Sequence, residues 1–185
     1  MRKWALVAAL VVLIAAPASA FDGYRKGFVL GGGLGIAPNA SWSWDYEGGE
    51  DDNGAGVGLN LLIGYSWDEH NMIVYEGNVV AYSTLEDLTA SQGFNGISWY
   101  HYFGPAGRSF FTAVGIGAYV FQLTEDKGDR ESASTDPGPG VLIGGGYEFA
   151  RHVQVGAYLS FGRTSEFGID WEHTHASILV SAVAF

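Results

Sequence analysis

The chain has 185 residues, 48% of them hydrophobic and only 16% charged, which suits a single domain and is too apolar for a disordered one. Cysteine is absent, so disulfides, thiolate metal sites and a cysteine nucleophile are excluded, and 20 acidic against 9 basic residues give a net charge of -11 that argues against nucleic acid as a partner. Glycine weakens helix and strand interiors alike, so 28 glycines beside 6 Trp, 10 Tyr and 11 Phe require an architecture in which a missing side chain is useful.

In chain order, the first feature is an address. Arg2 and Lys3 precede an unbroken apolar run from Ala5 to Ala16, and Pro17, Ala18, Ser19 and Ala20 end in a small-x-small cleavage pattern. The run is too short to span a bilayer as a helix, so residues 1–20 read as a secretory signal and residues 21–185 as the exported domain.

From Gly27 onward the period is two. Residues 53–65 set Val57, Leu59, Leu61, Ile63 and Tyr65 on one parity against Gly58, Asn60, Leu62 and Gly64 on the other. Residues 153–162 repeat the alternation, and residues 27–37, 72–82, 93–103, 110–123, 140–149 and 174–185 follow it less cleanly. These are eight strands of about the length that crosses a bilayer. The connectors alternate between long (38–52, 83–92, 124–139, 163–173) and short (66–70, 104–108, 150–152), as in an up-and-down antiparallel barrel with one elaborate end and one plain end.

Charge placement selects the solvent. Inside the eight segments the charged residues are Glu76 and Glu148; nearly all the others fall in connectors. A soluble lipocalin-like barrel would carry a charged skin over an apolar cavity. Here the apolar parity is expected to face lipid, while small and uncharged polar residues fill a narrow interior. Aromatics fit this reading. Tyr65, Trp67, Trp99, Phe103, Phe110, Tyr147, Phe149 and Phe185 fall near the short-turn end. Tyr82, Phe94, Tyr119, Phe121, Phe161 and Trp171 fall near the long-loop end.

The signal, the glycine-studded stretches Gly31-Gly32-Gly33-Leu34-Gly35 and Val114-Gly115-Ile116-Gly117-Ala118-Tyr119, and a last strand ending in Phe185 together carry a resemblance. The chain resembles the small eight-stranded outer-membrane barrels of Gram-negative bacteria, the A-type and W-type outer membrane proteins. That resemblance implies a cell outer membrane location after signal cleavage, the barrel-assembly machinery as a partner that reads Phe185 as an assembly signal, and outer-membrane lipid as the surroundings. Counting back from Phe185, the alternates Val183, Ser181, Leu179 and Ser177 match that signal only in part.

Candidate chemistry is sparse. Gly31 to Gly35 contains Gly-x-Gly, but no helix follows to hold a pyrophosphate; such glycines instead make room for larger residues opposite them. Glu76 and Glu148 lie on the inward parity, where a carboxylate needs partners. Arg25 is expected to reach Glu148, with Asn60 and Asn78 beside Glu76, as an interior polar network. His175 and Ser177 share the parity of Phe185, taken as the lipid side. Lipid A deacylases of this barrel class carry a His-x-Ser pair, so an acyl-ester hydrolase is one alternative, although Ile178 replaces the expected Asn and only Glu172 or Asp170 could supply the acid. Asp170, Glu172, His173 and His175 could be read as metal ligands, but no rigid geometry is implied.

The expectation is therefore an all-β, eight-stranded up-and-down antiparallel transmembrane barrel. It is monomeric, non-enzymatic, without cofactor or resident metal, and has a structural or surface-interaction role. Long acidic loops lie outside, where divalent cations could bind loosely, and three tight turns lie in the periplasm. The other alternative is a narrow porin-like conduit for small hydrophobic compounds, to which inward Leu62 and Leu142 would contribute.

Overall fold

The computed structural model describes residues 24–44, 52–84, 88–125 and 132–185; the expected signal and the tips of three long loops lie outside these residues. The described residues form nine strands: β1 (Gly27–Trp44), β2 (Asp52–Ser66), β3 (Asn71–Ser83), β4 (Leu88–Tyr102), β5 (Ser109–Glu125), β6 (Ser132–Ser134), β7 (Gly138–Ala150), β8 (Val153–Glu166) and β9 (Ile169–Ala184). Eight make the wall, each antiparallel to its neighbours. The ring closes where β1 pairs with β9, from Leu30↔Ala184 to Trp44↔Trp171, and where β4 pairs with β5 and β5 with β7. The short β6 folds back on β5 in the connection to β7. Closure leaves no long unpaired edge, which is the condition for a sheet to sit in lipid.

Side-chain orientation follows the alternation. Val57, Leu59, Leu61, Ile63 and Tyr65 are exposed on the outer wall, as are Leu34, Ile36, Ile97, Val114, Ile116, Ile143 and Val180, while Asn60, Leu62, Glu76, Asn78, Leu142, Tyr158 and Leu179 are buried within. The outward skin is apolar, the reverse of a lipocalin. In β1 the phase slips once: its register shifts between Ala37 and Ala40 against β2 and between Ile36 and Asn39 against β9. Pro38, which has no N–H to give a ladder, sits in this bulge. Beyond it the inward parity changes from odd to even, so that Ala37 and Ala40 are both buried and Trp42 packs inward.

The strands run further toward the long-loop end than the sequence suggests. Residues 163–173, expected as a loop, continue β8 and β9 up to a two-residue turn at Phe167 and Gly168, whose φ angles are 51° and 81°. Both central residues at positive φ is the pattern of a I′ hairpin turn; for Phe167 that conformation costs about 1–2 kcal/mol. At the other end the connections are short, and Asp68 caps one of them. Its Oδ1 accepts the N–H groups of His70 and Asn71, each at 2.7 Å, and the Asn71 amide donates to both carboxylate oxygens at 3.0 Å. These bonds, that of the Asn71 side chain first, hold the Asp68 carboxyl below the usual carboxylate range.

Candidate functional site

The barrel interior is the place where the sequence concentrates its unusual chemistry, and it is filled. Two clusters of buried side chains stack along the axis. The larger includes Val29, Leu62, Met72, Phe94, Tyr100, Tyr102, Phe111, Tyr119, Leu142, Tyr158, Leu179 and Phe185. The second, toward the long-loop end, holds Ala37, Ala40, Val80, Tyr82, Ala90 and Phe121, with Trp42, Leu123 and Trp171 packed on it. Inward glycines permit this filling. A Cβ at Gly162 would stand 2.3 Å from the Tyr119 side chain, and one at Gly144 would stand 2.4 Å from the Tyr158 ring. Glycine on one strand and a large ring on another are two halves of one packing arrangement.

At the short-turn mouth, Arg25 enters the barrel just ahead of β1 and is almost wholly buried, at 1% exposure. Its guanidinium pairs with the Glu148 carboxylate on β7. It also donates to the carbonyl oxygens of Glu69 (2.6 Å) and Gly104 (3.0 Å) and lies 3.8 Å from the Tyr102 ring centroid. Glu148 accepts a further bond from the Gly107 N–H at 2.9 Å. One ion pair thus ties the start of the barrel to β7 and to the β2–β3 and β4–β5 turns. Its many hydrogen bonds are what make a buried pair tolerable. Tyr102 in turn donates to Gln154 Oε1 at 2.7 Å.

Higher up, Glu76 accepts the Tyr100 hydroxyl at 2.9 Å. Asn60 and Asn78 face each other across β2 and β3, and each also serves β9: Ser181 donates to Asn60 Oδ1 at 3.2 Å, and Ser177 donates to Asn78 Oδ1 at 3.4 Å. The expected network is thus spread over two levels, with Arg25 and Glu148 at the mouth and Glu76, Asn60 and Asn78 above it.

Toward the long-loop end lies a histidine pair, His173 and His175, both buried. Amide oxygens only accept, so the ring nitrogen that faces each of them donates. His175 Nε2 donates to Asn78 Oδ1 (3.2 Å), and its Nδ1 is hydrogen-bonded to the Tyr119 hydroxyl (2.7 Å). His173 Nδ1 donates to Gln92 Oε1 (3.2 Å), and its Nε2 is hydrogen-bonded to Thr164 Oγ1 (2.8 Å). The Gln92 amide nitrogen donates to the Thr174 and Ser41 carbonyls at 3.1 and 3.4 Å, which agrees with that orientation. The Tyr119 ring stacks on His173 at 5.2 Å and 11°. Every ring nitrogen is engaged, so both imidazoles brace the interior.

This geometry bears on three readings of the sequence. First, His175, Ser177 and Phe185 do not face lipid. On β9 the odd residues point inward, and the even ones, Ile178 and Val180 among them, are the exposed ones. Phe185 joins the inward set because it fills the mouth, 5.0 Å from the His152 ring. Ser177 donates to Asn78 instead of His175, and both side chains lie inside the wall, away from the lipid-facing side on which the deacylase alternative placed them. Second, Asp170 and Glu172 are exposed while His173 and His175 are buried; the pleat puts them on opposite faces of the wall, so they do not share an ion. Among the described residues no group of three or more metal-ligating side chains forms. The acidic loop tips expected to attract cations lie largely outside the described residues.

Third, among the described residues most of the aromatics expected at the long-loop interface turn inward, whereas those at the short-turn end form a girdle. Tyr65, Trp67, Trp99, Phe103, Phe110 and Phe149 are exposed at the short-turn end, with half-exposed Tyr147 against Phe110 at 4.8 Å. Of the long-loop set, Phe161 is exposed, but Tyr82, Phe94, Tyr119 and Phe121 are buried. Trp171, also expected at the interface, turns inward and meets Trp42 at 5.3 Å and Phe121 at 5.9 Å. These rings cap the interior; their inward parity is shared with glycines that leave them room. On the outer wall nearby, a shallow groove of about 350 Å³ runs over the Gly140 and Gly162 backbone between Val141, Phe161 and the exposed Arg163–Glu172 ion pair.

The family described as Outer membrane protein beta-barrel domain matches residues 6–181. Among solved structures, Neisserial surface protein A (NspA) superposes with a TM-score of 0.55 at 15% identity, covering 85% of this chain and 97% of that one. Ail, the attachment invasion locus protein of Yersinia pestis, gives 0.49 at 12% identity over 84% of this chain and 99% of that one. OprG of Pseudomonas aeruginosa gives 0.47 at 13% identity over 88% and 98%. At 15% identity the likeness to NspA is one of fold alone, and no curated protein matches the sequence. The family match spans nearly the whole sequence, and the closed eight-stranded wall agrees with it: the chain belongs to the outer membrane protein beta-barrel domain family.

Proposed function

We propose that the protein is a non-enzymatic, monomeric structural barrel of the outer membrane whose working parts are the connections it displays outside the cell. The observation that carries this reading is the filled axis. From the Arg25–Glu148 pair at one mouth to the Trp42, Phe121 and Trp171 rings near the other, successive levels are occupied by buried side chains. Leu62 and Leu142, which could have lined an oily conduit, are fully buried inside the larger cluster. A closed cylinder with an apolar skin holds a rim at a fixed height above a membrane. Here that rim is acidic, so it meets cationic partners more readily than anionic ones.

The test is conductance. Purified, refolded barrel added to a planar lipid bilayer is expected to give no stable unitary currents, and vesicles bearing it are expected to take up a hydrophobic fluorophore no faster than empty vesicles. Steady single-channel steps, or uptake that rises with barrel density, would replace this reading with the conduit.

A further inference from the structure

The β8–β9 hairpin ends in a residue at odds with its own turn. Turns of this kind favour Asn-Gly or Gly-Gly, where positive φ is cheap. Here the first position is Phe167 at φ 51°, and its side chain is 96% exposed, so the ring returns nothing to the packing. The support beneath it is firm. Strand pairing continues up to Glu166↔Ile169, and the β5–β7 connection braces the stem through two backbone bonds, Asp136 N–H to the Ser165 oxygen (2.9 Å) and Ser165 N–H to the Asp136 oxygen (3.3 Å). Ile169, two residues on, is also exposed, and the carboxylates closest to the turn along the chain and its pairings are the exposed Asp136 and Asp170 and the half-buried Glu166. Backbone strain that persists without a packing reward is a pointer to function, and a rigidly displayed aromatic binds without an ordering cost.

We propose that Phe167 is the anchor of a docking surface for a cationic polypeptide with an apolar face. The ring enters the apolar face, and Asp136, Glu166 and Asp170 pair with lysines or arginines around it. This inference rests on the surface-interaction reading and names its partner class. Charge selects the occupant: an anionic lipid surface and a second copy of this acidic chain are both repelled by the same carboxylates.

The experiment uses the full chain in nanodiscs of zwitterionic lipid, with empty discs subtracted. Two labelled probes of equal length and charge are compared, a leucine-lysine amphipathic helix and a lysine peptide diluted with serine. Phe167→Asn gives the turn a residue that adopts positive φ readily, so the barrel keeps its fold. This variant is expected to bind the amphipathic probe about tenfold more weakly and the serine-lysine probe unchanged. Asp170→Asn is expected to weaken both by a few-fold. Equal binding of the amphipathic probe by Phe167→Asn and the native chain overturns the proposal. So does co-sedimentation with phosphatidylcholine or phosphatidylglycerol vesicles that depends on Phe167, which would make the target a membrane. Conductance in the bilayer assay would remove the parent reading whatever the peptides do, whereas a closed barrel indifferent to Phe167→Asn removes the anchor alone.

Discussion

Single glycines show how closely the interior is fitted. Gly162 points inward under Tyr119, whereas an added Cβ on outward Gly32 would find its nearest heavy atom, the Asn60 oxygen, at an ordinary 3.5 Å. Gly162→Ala is therefore expected to lower stability by roughly 1–3 kcal/mol through overpacking. Gly32→Ala should be neutral or slightly stabilising, because it restricts the unfolded chain without a clash. Urea titration of the barrel refolded into lipid vesicles, followed by tryptophan emission, separates the two; equal midpoints would contradict the fitted interior. The existence of an inward glycine set was legible from the period-two pattern in residues 53–65 and 153–162. Which ring meets which glycine was not, because Tyr119 and Gly162 lie on strands that are not neighbours, and only the curvature of the closed wall brings them together.

At the level of elements, the strand bodies were readable and their upper ends were not. Charge marks where a wall leaves lipid; it does not mark where a strand stops. Residues 163–173 carry Arg163, Glu166, Asp170 and Glu172, which suggested a loop, yet they continue the ladder of β8 and β9. In β9 the inward face was hidden for a different reason: aromatic Phe185 marks one parity, while Ala176, Ile178, Val180 and Ala182 make the other wholly apolar, and it is the latter that faces outward. The contact between Arg25 and Glu148 was expected from parity alone, but its links to two turns were invisible in sequence. Those links make the pair an element-level device. Glu148→Gln should cost about 3–5 kcal/mol by leaving a buried guanidinium without its counter-ion. The double variant Arg25→Met with Glu148→Leu should recover part of that loss, since apolar groups of similar volume remove both charges. Denaturant midpoints of the single and double variants check this, and a double variant weaker than Glu148→Gln alone would contradict it.

For the molecule as a whole, closure predicts all-or-none behaviour. A ring of eight strands cannot lose one pairing cheaply, because each opened edge would expose backbone groups to hydrocarbon. Unheated protein in dodecyl sulphate is expected to migrate as a compact species that shifts to the position of the unfolded chain on boiling. It should be found with the outer-membrane fraction of its host. A soluble product with a single heat-independent band would contradict the transmembrane assignment. The packed lumen also has an implication for how such a protein diversifies. Substitutions among the inner rings and amides trade directly against the ability to fold at all, leaving evolution little latitude there. Novelty in what the cell surface touches can accumulate only beyond the last lipid-facing residues, and a braced hairpin allows a single side chain to be exchanged there while the cylinder stays as it is.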